Sequence, residues 1–388
     1  MLNSALQSRT GVFAFFLAAG IGIGSWAASI PSISQQLSLT KGELGMTLLC
    51  FAFGAILMML RVGTIIPVLG ANKISFAGAL VFAAGLGAIP HMPDAISLGA
   101  IVLIAGAAFG ALDVAMNTEA AALESRLAKS SMSSFHALFS VGNLAGAGIC
   151  GMLLRQDYNI ASCLGTAGIC VGALVVFAYR RSPSDPQSFQ ARKVGSSTRT
   201  SYNSAENRRL LLLGGIAFLA LFAEGALCDW IAIYLVDILH TTESTAAFGF
   251  ATFAGAMALG RSIGDYCNNR LGSIRVFRGG ALIVAVSVSC TLSTGNLALV
   301  FLALFFAGLG ISNLVPRIFS SAGRSQSIPS SVAMSRVATM GYAGLLLGPP
   351  FIGFIAQSTS LVTSFVFIAV AMITVASGSR LTDWSKQI

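Results

Sequence analysis

Apolar residues run along this chain in stretches of about twenty, broken by short polar connections, from Gly11 almost to the carboxyl terminus. At a rise of about 1.5 Å per residue, such a stretch coiled as a helix is as long as a bilayer's hydrocarbon is thick. The stretches fall at 11–31, 44–66, 74–92, 96–118, 134–154, 160–179, 210–236, 245–265, 277–294, 297–316, 330–356 and 360–378. The pattern predicts an all-α polytopic membrane protein with twelve transmembrane helices. One polar segment, Arg180 to Arg209, rich in Ser, Arg, Gln and Asn, divides them into an amino-terminal half (1–179) and a carboxyl-terminal half (210–388). The stretch from Gly11 to Ile30 reads as the first membrane helix and not as a signal peptide: it is long, another span follows at once, and no persuasive cleavage site closes it.

Composition sharpens this reading. Of 388 residues, 55% are hydrophobic and 10% charged, so function has to reside in the few polar side chains placed inside the spans. The net charge of +9 would suggest nucleic acid in a soluble protein; here the bases gather in the connections, and no nucleic-acid-binding pattern accompanies them. Placing the connections alternately on two sides gives the amino-terminal side nearly all of the Lys and Arg, and the opposite side only Lys41 and Arg155. That asymmetry predicts both termini and the 180–209 linker in the cytoplasm. The opposite face carries Asp94, Asp157, Asp237, His240 and Glu243, read as a solvated rim. Seven scattered cysteines read as buried small side chains, and His91, His136 and His240 occupy different segments, so no metal site and no cofactor is expected. Gly20 and Gly24, Gly106 and Gly110, and Gly142 and Gly146 are each four apart, which puts each pair on one helical face and predicts close helix packing.

Local motifs make the plan specific. The stretch Gly264-Asp265-Tyr266-Cys267-Asn268-Asn269-Arg270-Leu271-Gly272, followed by Arg275, has a counterpart in Gly63 to Gly70 followed by Lys73. With two sets of six helices and a basic linker, these stretches resemble the major facilitator superfamily of secondary transporters and its short loop after the second helix of each half. Asp113 to Asn117, Ser134 to Gly142, Glu224 to Trp230 and Gly348-Pro349-Pro350 resemble one bacterial branch whose members mostly lack an assigned substrate. The first-half loop departs from the family, with Pro67 and Val68 where an acid and an arginine are usual, and the second-half loop has Asn269 for the acid. The resemblance implies a bacterial inner-membrane transporter and a gating role for Gly63, Gly70, Lys73, Gly264, Asp265, Arg270, Gly272 and Arg275. It also implies a path lined by the first, fourth, seventh and tenth helices.

Polar residues inside the spans are the candidates for that path, because a carboxylate in hydrocarbon costs about 2.5 to 3.5 kcal/mol on insertion scales. Asp113 and Asn117 stand one turn apart on the fourth span. Glu224 lies mid-span in the seventh, with Asp229 and Trp230 beyond it; Glu224 is the deepest acid of the second half and the candidate proton carrier. His136 and Asn143 on the fifth span, Asn313 on the tenth and Arg336 on the eleventh complete the polar set, and Trp26 and Trp230 offer flat faces for a sugar ring. Each also has a structural reading, as a helix-to-helix hydrogen bond, a packed ring or a snorkelling cation. The expected function is secondary active transport by alternating access, a proton symport of a small polar solute such as a sugar, in a monomer whose partners are solute, protons and lipid. Hydrophobic drug efflux and a non-transporting sensor or assembly protein are the alternatives. An enzyme is not expected, since no nucleophile and base stand at recognisable spacing, and ATP-driven pumping would need a separate subunit, since no GxxxxGK(S/T) loop occurs. Topology is directly testable in a background freed of the seven native cysteines: Ser196→Cys should react with a thiol reagent from the cytoplasm and Asp237→Cys from outside.

Overall fold

The computed structural model describes residues 2–127, 132–181, 204–322, 328 and 330–382, so most of the polar linker, 182–203, lies outside the described residues. The chain is helical throughout: α1 (Leu2–Gln36), α2 (Lys41–Leu69), α3 (Ala71–Ala88), α4 (Ala95–Leu127), α5 (Met132–Arg155), α6 (Ile160–Arg181), α7 (Ser204–Asp237), α8 (Glu243–Leu271), α9 (Ser273–Ser293), α10 (Leu297–Ile311), α11 (Leu314–Ala322), α12 (Ser330–Ser358) and α13 (Leu361–Ser377). These supply twelve segments long and apolar enough to cross a membrane, with α10 and α11 sharing the tenth. The tenth span was expected as one helix to residue 316; it breaks at Ser312 and Asn313 instead. Pro316 has no N–H to bond back to Ser312, whose own hydroxyl donates to the Leu309 carbonyl at 2.7 Å.

Connections are short because the helix ends are capped locally. Thr40 accepts the Glu43 N–H at 3.2 Å while Glu43 reaches back to the Thr40 N–H at 2.9 Å, a reciprocal box that starts α2 cleanly. Asp94 accepts from Ser97 N–H at 2.8 Å to start α4, and the hydrogen bonds from Ser97 hold its carboxyl below the usual carboxylate range. Gly70 and Gly272 both have φ of 85°, which a side chain would resist, and this is how α2 turns into α3 and α8 into α9 with no intervening loop. Ser38 and His240 also have positive φ, 50° and 53°, in the turns that precede α2 and α8. Each of these two pairs is 202 positions apart, so the backbone exceptions repeat in register between the two sets of helices.

Two compact units make up the chain: Met1–Val194 with Leu235–Ala254, and Gly195–Tyr234 with Gly255–Ile388. In the first, α1 packs on α5 and α6, α2 on α4, and α3 on α4 and α6, around Phe15, Phe16 and Phe135, which are fully buried. In the second, α9 packs on α10 and α13, and α12 on α13. The turn between α7 and α8 groups with the first unit because its side chains bond there. Asp237 pairs with Lys41 on α2, Glu243 accepts from Ser32 on α1, and Ser244 donates to the Gly151 carbonyl on α5 at 2.7 Å. Asp237 and Glu243, expected in a solvated rim, are therefore bonded to two neighbouring helices, α2 and α1.

The glycine pairs do what their spacing predicts. A Cβ at Gly20 would lie 2.9 Å from the Gly142 Cα, one at Gly24 would lie 2.6 Å from the Asn143 Cα, and one at Gly110 would lie 2.8 Å from the Ala55 Cα. At Gly106 the added atom would sit 2.7 Å from the Phe51 carbonyl carbon, whereas Gly165 has nothing within 4 Å. Gly106→Val is expected to lower stability in detergent by about 1 to 3 kcal/mol as α4 is wedged from α2. Gly165→Ala should leave stability unchanged or slightly raised, and thermal unfolding of the two variants checks both.

Candidate functional site

In the first unit, α4 carries Asp113 and Asn117, both half-buried. The Asn117 carboxamide donates to the Asp113 carbonyl at 2.8 Å and to its carboxylate at 3.2 Å, so the two form a linked pair on one helix, as one-turn spacing allows. Trp26 on α1 is buried and lies nearly parallel to Phe51 of α2, with centroids 6.3 Å apart, so at least one of its faces already meets an aromatic partner. His136 is exposed at the start of α5, with its ring edge-on to Phe16 at 5.2 Å. Asn143, two turns deeper, has its backbone against Gly24, and its buried carboxamide oxygen accepts no hydrogen bond among the described residues.

In the second unit, Glu224 of α7 forms an ion pair with Arg261 of α8, at 3.1 Å, with side chains 16% and 22% exposed. Asp229, half-buried, has no hydrogen bond or ion pair among the described residues. The Glu224–Arg261 pair thus links the seventh and eighth spans. Trp230 is fully buried, and its indole N–H donates to the Pro349 carbonyl at 3.0 Å, tying α7 to α12. This satisfies the polar end of an otherwise apolar ring. Asn313 donates to the Gly260 carbonyl at 2.8 Å and fills the space beside Gly264, so the break between α10 and α11 is fastened to α8. Arg336 is exposed and donates to Asn207 at 2.8 Å, which links the start of α12 to the start of α7.

The loop residues divide by backbone and surface. Gly70 and Gly272 make the turns just described, Lys73 and Arg275 are exposed beside them, and the Arg270 guanidinium sits over the Tyr266 ring at 5.5 Å. Gly63 lies in open space, and the side chain of Asp265 lies outside the described residues. Sequence reasoning grouped Arg261 with the bases of the amino-terminal side and missed it as a site residue. The signal was present: Arg261 falls inside the eighth apolar stretch, 245–265, where a base is costly unless an acid meets it.

The description Major Facilitator Superfamily matches residues 11–325. An uncharacterised MFS-type transporter of Yersinia pestis is 32% identical over 95% of this chain and 93% of its own length. Membrane protein MosC of Rhizobium meliloti is 30% identical over 96% and 89%. Among solved structures, a mutant of the nucleoside transporter NupG superposes with a TM-score of 0.77 at 14% identity, covering 98% of this chain and all of that one. A bacterial homologue of the human lysosomal transporter Spinster gives 0.71 at 14% identity, over 96% and 95%. At such identities the likeness to solved structures is one of fold.

The Glu224–Arg261 pair makes a stability prediction. Removing one partner leaves the other charge uncompensated away from water, whereas removing both does not. Arg261→Gln is expected to destabilise the protein by about 1 to 3 kcal/mol, less than a fully enclosed pair because both side chains keep some exposure. Adding Glu224→Gln should recover part of that loss, as read from detergent unfolding of the single and double variants.

Proposed function

This chain belongs to the major facilitator superfamily and is a multi-pass bacterial membrane protein with a secondary transporter's fold; from that premise we propose that it moves a small polar solute, a sugar or related metabolite, by proton-coupled alternating access. The reading places both termini and the linker in the cytoplasm, in keeping with the bias of basic residues. The observation that carries it is the ion pair between Glu224 and Arg261 inside the seventh and eighth spans. A proton arriving on Glu224 cancels one of two charges that neutralise each other, and in surroundings poor in water the guanidinium must then find another partner or move. Proton occupancy is thereby tied to the arrangement of α7 and α8, as coupling requires. Asp113 and Asn117 supply acceptor and donor groups suited to hydroxyls, and Asn143 supplies a further acceptor.

The test is uptake by vesicles with and without an imposed pH gradient, first across a panel of sugars and related metabolites, then with variants. Glu224→Gln keeps a hydrogen-bonding group opposite Arg261 but carries no exchangeable acid. It should abolish most of the uphill accumulation while leaving counterflow exchange largely intact. Equal proton-driven uptake by variant and parent at every imposed pH gradient would remove Glu224 from the mechanism.

A further inference from the structure

Phe76 of α3 and Tyr179 of α6 meet ring to ring, with centroids 4.5 Å apart, and this contact brings the start of α3 to the end of α6. One turn before Phe76 stands Lys73, and directly after Tyr179 stand Arg180 and Arg181; all three are exposed. None of the three makes a hydrogen bond or ion pair among the described residues. The Arg181 guanidinium lies over the Phe177 ring at 5.3 Å, one turn back into the span, so this base leans toward the apolar surface and not outward into water. Beneath the bases that surface continues into the span, with Leu80 and Val81 of α3 and Val176 and Phe177 of α6 all exposed.

The second unit repeats the arrangement. Moved on by 202 positions, Lys73, Leu80 and Val81 become Arg275, Leu282 and Ile283 of α9, and these are exposed as well. Arg278 stands one turn after Arg275, and Arg380 lies in the turn Gly378–Thr382, which ends α13 and packs on α9. Both of these bases are exposed, neither is paired among the described residues, and Val370 and Ile373 extend an exposed apolar strip along α13. Sidedness and helix ends account for scattered bases. They do not account for unpaired bases that recur above the same apolar positions in two helix pairs of different sequence. We propose that each of these corners binds the headgroup of an anionic phospholipid, its phosphate bridging the bases of two helices and an acyl chain lying on the exposed strip below. A guanidinium matches two phosphate oxygens at once, and the strip fits hydrocarbon that a free phosphate does not have. Bound in this way, the lipid ties α3 to α6 and α9 to α13 from outside.

The full-length protein, purified in detergent, is loaded with phosphatidylglycerol or, separately, with phosphatidylcholine, and the lipid it retains is counted by native mass spectrometry. The parent should keep two phosphatidylglycerol molecules, one at each corner, and hold phosphatidylcholine far more weakly because its choline cancels the phosphate charge. Lys73→Gln combined with Arg180→Gln and Arg181→Gln should leave one, with affinity at that corner falling about fivefold for each base removed. Lys73→Arg with Arg180→Lys and Arg181→Lys, which keeps the charges, should keep both lipids. Arg275→Gln with Arg278→Gln and Arg380→Gln should remove the other lipid independently, and thermal unfolding in lipid-free detergent separates a lost lipid from a lost fold. Equal retention of phosphatidylglycerol by the parent and the neutralised variants, or equal retention of the two lipids by the parent, would overturn the assignment. So would displacement of the lipid by inorganic phosphate beyond that caused by chloride at equal ionic strength, which would give the bases to free phosphate instead.

Discussion

Hydrocarbon offers no partner to a backbone amide, and the rest of this structure depends on that constraint. Every span must satisfy its own N–H and C=O groups, so every span is a helix, and departures from helix occur where something else takes over the bonding. The break at Ser312 and Asn313 obeys the rule: the Ser312 hydroxyl and the Asn313 carboxamide take up carbonyls at Leu309 and Gly260. Pro349 and Pro350 lie inside α12, where the Pro349 carbonyl also receives the indole N–H of Trp230. Having met their internal needs, the helices attract one another mainly by contact, which is why the glycines at 20, 24, 106 and 110 lie directly against backbone.

The same poverty of solvent governs the charges. Two acids within spans are answered by another group, Glu224 by the Arg261 guanidinium and Asp113 by the Asn117 carboxamide, whereas Asp229 has no hydrogen bond or ion pair among the described residues. The two arrangements differ in kind. Asp113 is answered from its own helix and would keep its partner through a rigid movement of α4. Glu224 is answered from a neighbouring helix, so its environment changes whenever α7 and α8 slide or tilt against one another.

Much of this was legible in the sequence, for physical reasons. Span number and limits follow from the length of the apolar stretches, and the glycine pairs followed from helical periodicity, since both depend on neighbours along the chain. What depended on partners far along the chain was not legible. Arg261 and Glu224 are 37 residues apart, and Lys41 and Asp237 are 196 apart. Nothing in the local pattern around Asp237 or Glu243 separates an acid dissolved in water from one bonded to a facing helix. Trp230 shows a related limit: its position in a span is plain, while the carbonyl that receives its N–H lies on α12, 119 residues away.

The register of 202 residues between Ser38 and His240, and between Gly70 and Gly272, bears on how opposite charges come to meet in a chain made of two similar sets of helices. Carried through that register, Gln35 answers to Asp237 and Lys41 to Glu243. One set presents an amide and a base at these two places; the other presents two acids. Had the sets stayed alike, the ends of α1 and α7 and the starts of α2 and α8 would carry matching signs, and Lys41 would meet a glutamine in place of Asp237. The attraction between Lys41 and Asp237 within the first unit thus rests on a difference between the two sets of helices at matching positions.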